Sequence, residues 1–263
     1  MPYRIDISSP PDDVLDRLVQ LGALDIEVVS GGIAAIIPDG VTPDVVAGAL
    51  GVASVTASPA VARDNESVWL LSPRAVRVGS LLIVPPEVDT PPGTLRLTDS
   101  AAFGTGHHPT TALCIEALEE ALTIAVPDSI LDVGTGSGVL ALAALKMGVP
   151  RALGLDIDAE ALNIAAENAC LNNLATRLQF VHGGPDVIDG VWPLVVANVL
   201  AAPLIEMAPV LVRRVRSRGR LILSGIPRSL ESEVQKPYEH LGMRYIGSRT
   251  QAGWAVLVLQ ASW

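Results

Sequence analysis

Polar and apolar positions follow two rhythms along the 263-residue chain, and the change falls in the nineties. In the first stretch the elements are short. Residues 3–7 alternate and predict a strand. Pro10-Pro11-Asp12-Asp13 opens a helix that runs to 21, with Val14, Leu15, Leu18, Val19 and Leu21 on its apolar face, and Gly22 ends it. Strands follow at 25–29 and 33–37, separated by Gly31-Gly32. After the turn Pro38-Asp39-Gly40 comes a helix at 43–50 closed by Gly51, then a strand at 52–56. The order β-α-β-β-α-β within 1–58 predicts a small ferredoxin-like α+β domain. It carries no catalytic constellation and reads as a recognition or scaffold domain.

Residues 59–93 form a connector. Trp69-Leu70-Leu71 and Leu81-Leu82-Ile83-Val84 are apolar enough to pack, whereas Pro85-Pro86 and Pro91-Pro92-Gly93 interrupt. From 94 to 263 strand and helix alternate. Strands are predicted at 94–98, 130–133, 152–156, 178–181, 194–197 and 220–224. Helices are predicted at 109–122, 139–147, 159–171, 204–215 and 230–241. Two more strands, 244–248 and 254–259, have no helix between them. This order predicts an α/β domain with a mainly parallel, Rossmann-like sheet and an antiparallel C-terminal hairpin at one edge. Ligands of such sheets bind at the carboxyl ends of the strands, near the reversal of strand order.

Composition narrows the field. Apolar residues are 49% and aromatics 3%, so the core is built of Ala, Val, Leu and Ile. A net charge of −10 argues against a broad nucleic-acid surface and leaves a basic protein partner possible. Cys114 and Cys170 make no disulfide framework; both fall in predicted helices, where reduced core thiols are expected. The N-terminus has no apolar signal core, and no uncharged apolar run is long enough for a membrane span. The expectation is a cytoplasmic protein without membrane contact.

The chemistry concentrates after the strands. Leu131-Asp132-Val133-Gly134-Thr135-Gly136-Ser137-Gly138 reads as strand, glycine turn and helix start, a loop that lets backbone approach a ligand. A dinucleotide fingerprint would place its third glycine at 139, which is Val139, and no lysine-hydroxyl pair makes a phosphate loop. The spacing favours an adenosine without a pyrophosphate. Asp156 ends the next strand and can accept both ribose hydroxyls, while Asp158 caps the following helix. Together these point to S-adenosyl-L-methionine, with its carboxylate near Gly134, Gly136 and the helix start. Asn198 ends a buried strand. It either holds an amine through its carbonyl oxygen or closes the strand with a turn.

Residues 102–111, Ala-Phe-Gly-Thr-Gly-His-His-Pro-Thr-Thr, combine glycine turns, two histidines and two threonines before a helix. No metal is expected, because the four histidines and two cysteines repeat no ligand spacing. The stretch reads as a loop folding over the cofactor, with Thr110 or Thr111 giving hydroxyls at the helix start or serving as its N-cap. His108 is the nearby candidate proton acceptor, against a loop histidine bonded to a backbone carbonyl.

With these motifs the chain resembles the PrmA family. The likeness rests on 102–111, the glycine loop, Gly-Leu-Asp-Ile-Asp at 154–158, Val-Ala-Asn-Val-Leu-Ala at 196–201 and Leu-Ile-Leu-Ser-Gly-Ile at 221–226. It implies a class I methyltransferase fold preceded by a small α/β domain that recognises the substrate. The implied reaction is S-adenosyl-L-methionine-dependent methylation of lysine and N-terminal amines of protein eleven of the large ribosomal subunit. Cofactor contacts are implied at Thr111, Gly134, Asp156 and Asn198. The chain departs from the family at His182-Gly183-Gly184-Pro185, where an acidic residue often stands and Asp186 would have to substitute. It departs again at Pro193, where an Asp usually precedes the strand, and at Pro227-Arg228-Ser229-Leu230, where a Gln is often found. Two alternatives stay open: a class I methyltransferase of another protein or a small amine, and a non-catalytic S-adenosyl-L-methionine-binding protein.

Overall fold

A computed structural model describes every residue except 9, 31, 65–67, 89–92 and 99–103. Gly31, Pro91, Pro92, Ala102 and Phe103, which enter the readings above, lie outside the described residues. The chain divides into two compact units, Met1–Pro73 and Arg74–Trp263. The stretch 59–93 is therefore shared between them at residue 73.

The first unit is built from β1 (Tyr3–Ile7), α1 (Val14–Gln20), β2 (Asp25–Val29), β3 (Gly32–Ile37), α2 (Pro43–Leu50) and β4 (Thr56–Pro59). Its sheet has the order β2-β3-β1-β4, with every neighbouring pair antiparallel. That is the arrangement of a split β-α-β unit. Ile5, Ile7, Val14, Leu18, Ile37, Val46 and Leu50 fill the space between sheet and helices. The fourth strand begins at Thr56 rather than at 52. Gly51 adopts a left-handed φ of +71° after α2, and the Val52 N–H turns back to the Ala47 carbonyl. Val52 thus closes the helix and is lost to the sheet. A short antiparallel pair, β5 (Ala62–Arg63) and β6 (Val68–Trp69), completes the unit.

The second unit opens with a three-stranded sheet of β7 (Val76–Val78), β8 (Leu81–Val84) and β9 (Leu95–Arg96), followed by α3 (Pro109–Ile124). Then come β10 (Ile130–Val133), α4 (Val139–Lys146), β11 (Ala152–Asp156), α5 (Ala159–Leu171), β12 (Leu178–His182) and β13 (Trp192–Asn198). The chain ends with α6 (Ala201–Arg214), β14 (Val215–Pro227), α7 (Glu231–His240), β15 (Met243–Gln251) and β16 (Trp254–Ala261). The seven-stranded sheet runs β12-β11-β10-β13-β14-β16-β15; its first five strands are parallel and β16 is antiparallel to both neighbours.

Alternation along the strands divides the core. Ile130, Leu194, Val196 and Ile222 face α3 and α4, while Leu131, Val133, Val195 and Leu223 face α6 and α7. All seven residues from Val139 to Leu145 are buried, so α4 is a core helix rather than an amphipathic one. The two-residue turn Ala252-Gly253, with φ of +48° and +82°, joins β15 to β16 and sets Gln251 opposite Trp254. Cys114 is buried, but Cys170 is exposed, because α5 buries only Ala161, Ala165, Asn168 and Ala169. The expectation of two core thiols holds for the first cysteine alone.

Candidate active site

Strand order reverses at β10, whose neighbours are β11 on one side and β13 on the other. Val133 pairs with Leu155 and with Ala197, so the turn after β10 leaves the sheet between the ends of both. The N–H groups of Gly134 and Thr135 both donate to the Leu155 carbonyl at 2.8 Å. Gly134, Gly136 and Gly138 have φ of +71°, +54° and +81°. A Cβ at Gly134 would run into Val199 Cγ1, so glycine here serves both the turn and a close approach.

Asp156 ends β11 beside this loop. Its Oδ2 accepts the Gly136 N–H at 2.9 Å and its Oδ1 accepts the Asp158 N–H at 3.0 Å. Asp158 caps α5, accepting the Glu160 N–H at 2.9 Å. Ile157 between them is 80% exposed, an apolar side chain held in water at the edge of the site. Its carbonyl accepts from His182 Nε2 at 2.9 Å, and the Gly183 N–H donates to the Asp156 carbonyl at 2.8 Å. Residues 156–157 and 182–183 are therefore joined into one edge.

Asn198 ends β13, opposite Ser224 of β14. It is 8% exposed, and its Nδ2 donates to Thr111 Oγ1 across 3.5 Å. Its Oδ1 is buried and has no partner among the described residues. A buried amide oxygen left in this way is an acceptor waiting for a donor. Thr111 and Thr110 lie fully buried in the first turn of α3. The N-cap of that helix is His108, not a threonine. His108 Nδ1 accepts the Thr110 N–H at 3.3 Å and lies 2.7 Å from the Thr110 hydroxyl. Its ring meets Trp254 edge-on with centroids 5.1 Å apart. The structure thus gives His108 the capping contact of α3.

Three buried polar groups escaped the sequence reading. Asp132, in the middle of β10, accepts the Thr135 hydroxyl at 2.8 Å and the Ala141 N–H at 3.1 Å through Oδ2. Its Oδ1 has no partner among the described residues. Burial pushes its carboxyl up to about 7, against the pull of the Thr135 and Ala141 bonds, and the Asp156 charge adds to the rise. The signal was present as an acid inside an apolar strand. Asn168 on α5 and Asn172 at its C-cap, one turn later, are also buried and bonded on both amide atoms. Their i, i+4 spacing was the available signal.

Gly134, Gly136 and Asp156 therefore form one cluster and Asn198 and Thr111 another, with Val199 packed against Gly134 between them. The first cluster presents the Asp156 carboxylate beside the exposed Ile157 side chain, and the second presents the buried acceptor of Asn198. Among the described residues, no group of three or more His, Cys, Asp or Glu side chains comes together, and no helix is long and apolar enough to cross a membrane.

Known proteins share this layout. The family model described as ribosomal protein L11 methyltransferase (PrmA) matches residues 48–262. The ribosomal protein L11 methyltransferase of Pelobacter propionicus is 36% identical over 203 residues, which are 74% of this chain and 66% of that protein. That of Nitrosomonas europaea is 39% identical over 235 residues, 81% of this chain and 74% of the relative. The chain spans 61% of the Geobacter sulfurreducens relative, at 41% identity. Among solved structures, the ribosomal protein L11 methylase of Lactobacillus delbrueckii subsp. bulgaricus superposes with a TM-score of 0.65 at 30% identity, covering 71% of this chain and 97% of that one. An N-methyltransferase of Bradyrhizobium japonicum, 12% identical with a TM-score of 0.50, shares the fold. With a family model spanning both the glycine loop and the Asn198 strand, the chain belongs to the ribosomal protein L11 methyltransferase (PrmA) family.

Proposed function

We propose that the protein transfers methyl groups from S-adenosyl-L-methionine to lysine or N-terminal amines of ribosomal protein L11 in the cytoplasm. The observation that carries this reading is the buried Oδ1 of Asn198, which has no partner among the described residues and lies across Val199 from the glycine loop. The residues present fit the methyl donor. The left-handed glycines at 134, 136 and 138 carry no side chains, so the loop backbone can come close to the donor. The half-buried Asp156 carboxylate is oriented by two backbone N–H groups and keeps lone pairs for ribose hydroxyls. Ile157 would offer an apolar face to an adenine ring, and Thr111, bonded to Asn198, would hold the methionine end.

When bound, the donor supplies an electrophilic methyl on a sulfonium, and no covalent enzyme intermediate is required. What the chain contributes is alignment, which is worth roughly 7–11 kcal/mol in well-oriented systems. The acceptor amine must be neutral, although a free lysine has a pKa near ~10.4. Burial beside a positive charge lowers that value. Asn198 Oδ1 accepts an amine N–H and thereby turns the nitrogen lone pair away from itself, toward the donor. The first unit, with its antiparallel sheet, is the natural candidate for holding the ribosomal protein.

The test is transfer of radiolabelled methyl from the donor to purified ribosomal protein L11, followed by mass spectrometry of the product. Label on lysine or α-amine nitrogens is the expected result. Label on a different acceptor, with none on L11, overturns the substrate assignment.

A further inference from the structure

The glycine loop is held from behind by a side chain that never faces the cleft. Asn168 is fully buried on α5. Its Nδ2 donates to the Ser137 carbonyl at 2.9 Å, while its Oδ1 accepts the Thr98 N–H at 2.9 Å and the Thr98 hydroxyl at 3.1 Å. The Ser137 hydroxyl in turn donates to the Gly104 carbonyl at 2.8 Å. One amide therefore ties α5 to the residue between two glycines of the loop and, on its other face, to the segment after β9. Ser137 passes the tie on to Gly104.

We infer that Asn168 is a positioning residue for the methyl donor: it fixes the Ser137–Gly138 peptide, and with it the course of the glycine loop where it enters α4. The inference deepens the proposed function and rests on it. Both amide atoms are needed, because the carbonyl of Ser137 and the N–H of Thr98 require opposite partners. A carboxylate would present an oxygen to an oxygen, and an alkyl group would leave both backbone groups unpaired. Either change costs more than the bond itself, since a buried unpaired group bears its full desolvation penalty. The loop is the movable party. Glycine flanks Ser137 on both sides, so its peptide is free to rotate once the tie is lost.

The fold contains its own control. Asn172, one turn later at the C-cap of α5, is equally bonded: its Oδ1 accepts the Arg96 N–H at 3.0 Å and its Nδ2 donates to the Arg96 and Asn168 carbonyls at 2.6 and 2.8 Å. It touches β9 but not the glycine loop. Replacing it removes a comparable set of buried bonds without releasing Ser137.

The experiment compares the full-length wild type, Asn168→Ala, Asn168→Asp and Asn172→Ala by calorimetric titration with S-adenosyl-L-methionine and by urea denaturation. The expected result is a donor Kd about ten-fold weaker in both Asn168 variants, equivalent to about 1.4 kcal/mol. Asn172→Ala is expected to lose similar stability while its Kd stays within about two-fold of wild type. Affinity that follows stability alone across the three variants would overturn the inference and leave Asn168 a structural residue. A wild type that fails to bind the donor would instead overturn the proposed function, and this inference with it. Thr98→Val gives a second readout should Asn168→Ala not fold. It removes only the hydroxyl bond, so its Kd is expected to shift less than that of Asn168→Asp. A shift as large as that of Asn168→Asp would count against the role of Ser137.

Discussion

Gly225 and Val199 meet backbone to backbone: a Cβ on Gly225 would collide with the Val199 carbonyl oxygen and lie 2.7 Å from its carbonyl carbon. Val199 Cγ1 occupies the space above Gly134 on its other side. The residue after Asn198 is thereby wedged between the ends of β10 and β14.

Gly225→Ala should break this wedge. Its φ of +82° and the backbone collision both act against a side chain. The expected loss is about 3 kcal/mol, combining left-handed strain with overpacking. Gly253→Ala, at the same φ with nothing near, should lose only about 1–2 kcal/mol. Urea denaturation of both variants checks the difference.

Asn198→Ala removes the waiting acceptor. The fold should tolerate it, because the lost bond to Thr111 is long at 3.5 Å. Methyl transfer should fall about 100-fold in kcat, the scale on which a misplaced reactant is penalised. Donor Kd should change by less than about three-fold. Single-turnover kinetics beside calorimetry separates the two quantities; a loss confined to donor Kd would place Asn198 at the methionine end instead.

Asp156→Ala should weaken donor binding about 100-fold, because it takes away the ribose acceptor and frees the Gly136 and Asp158 N–H groups together. Asp156→Asn keeps the shape and loses the charge, and about ten-fold is expected. Calorimetric titration orders the two variants. Wild-type affinity in Asp156→Asn would show that the carboxylate serves only the loop.

Asp132 gives the stability a pH dependence of known sign. Burial raises its carboxyl to about 7, above the ordinary value near ~3.9 of an unfolded chain. Between those values the folded chain holds a proton that the unfolded chain has released. Stability from this group is therefore highest at the acid end and declines as pH rises from about 4 to about 7, where the decline levels off. Asp132→Asn should remove that decline, which is on the order of a few kcal/mol in total. Denaturation midpoints of both proteins across this range test it, and parallel curves would refute it.

The glycines, Asp158 and the alternation of elements could be read along the chain because each acts over a few neighbouring residues. A left-handed turn demands glycine, a cap demands an oxygen just before a helix, and a parallel sheet demands crossovers. Asp132 and Asn168 could not be read in that way. An acid in a strand and an amide on a helix look like solvent-facing residues until α4 and the segment after β9 close over them. Val52 misled for the opposite reason: its side chain suits a strand, but its N–H is spent on the end of α2. His108 took the cap that the threonines seemed to offer, since its ring can lean on Trp254 from the far end of the sequence.

That last contact makes a distant turn answerable for the entrance to α3. Ala252-Gly253 fixes which side of β16 each residue occupies, and Trp254 is the first residue it delivers. One inserted residue there would send every β16 side chain to the opposite face and take the indole from His108. Descendants of this chain are thus free to vary the letters of that turn within the limits of its backbone, but not its length.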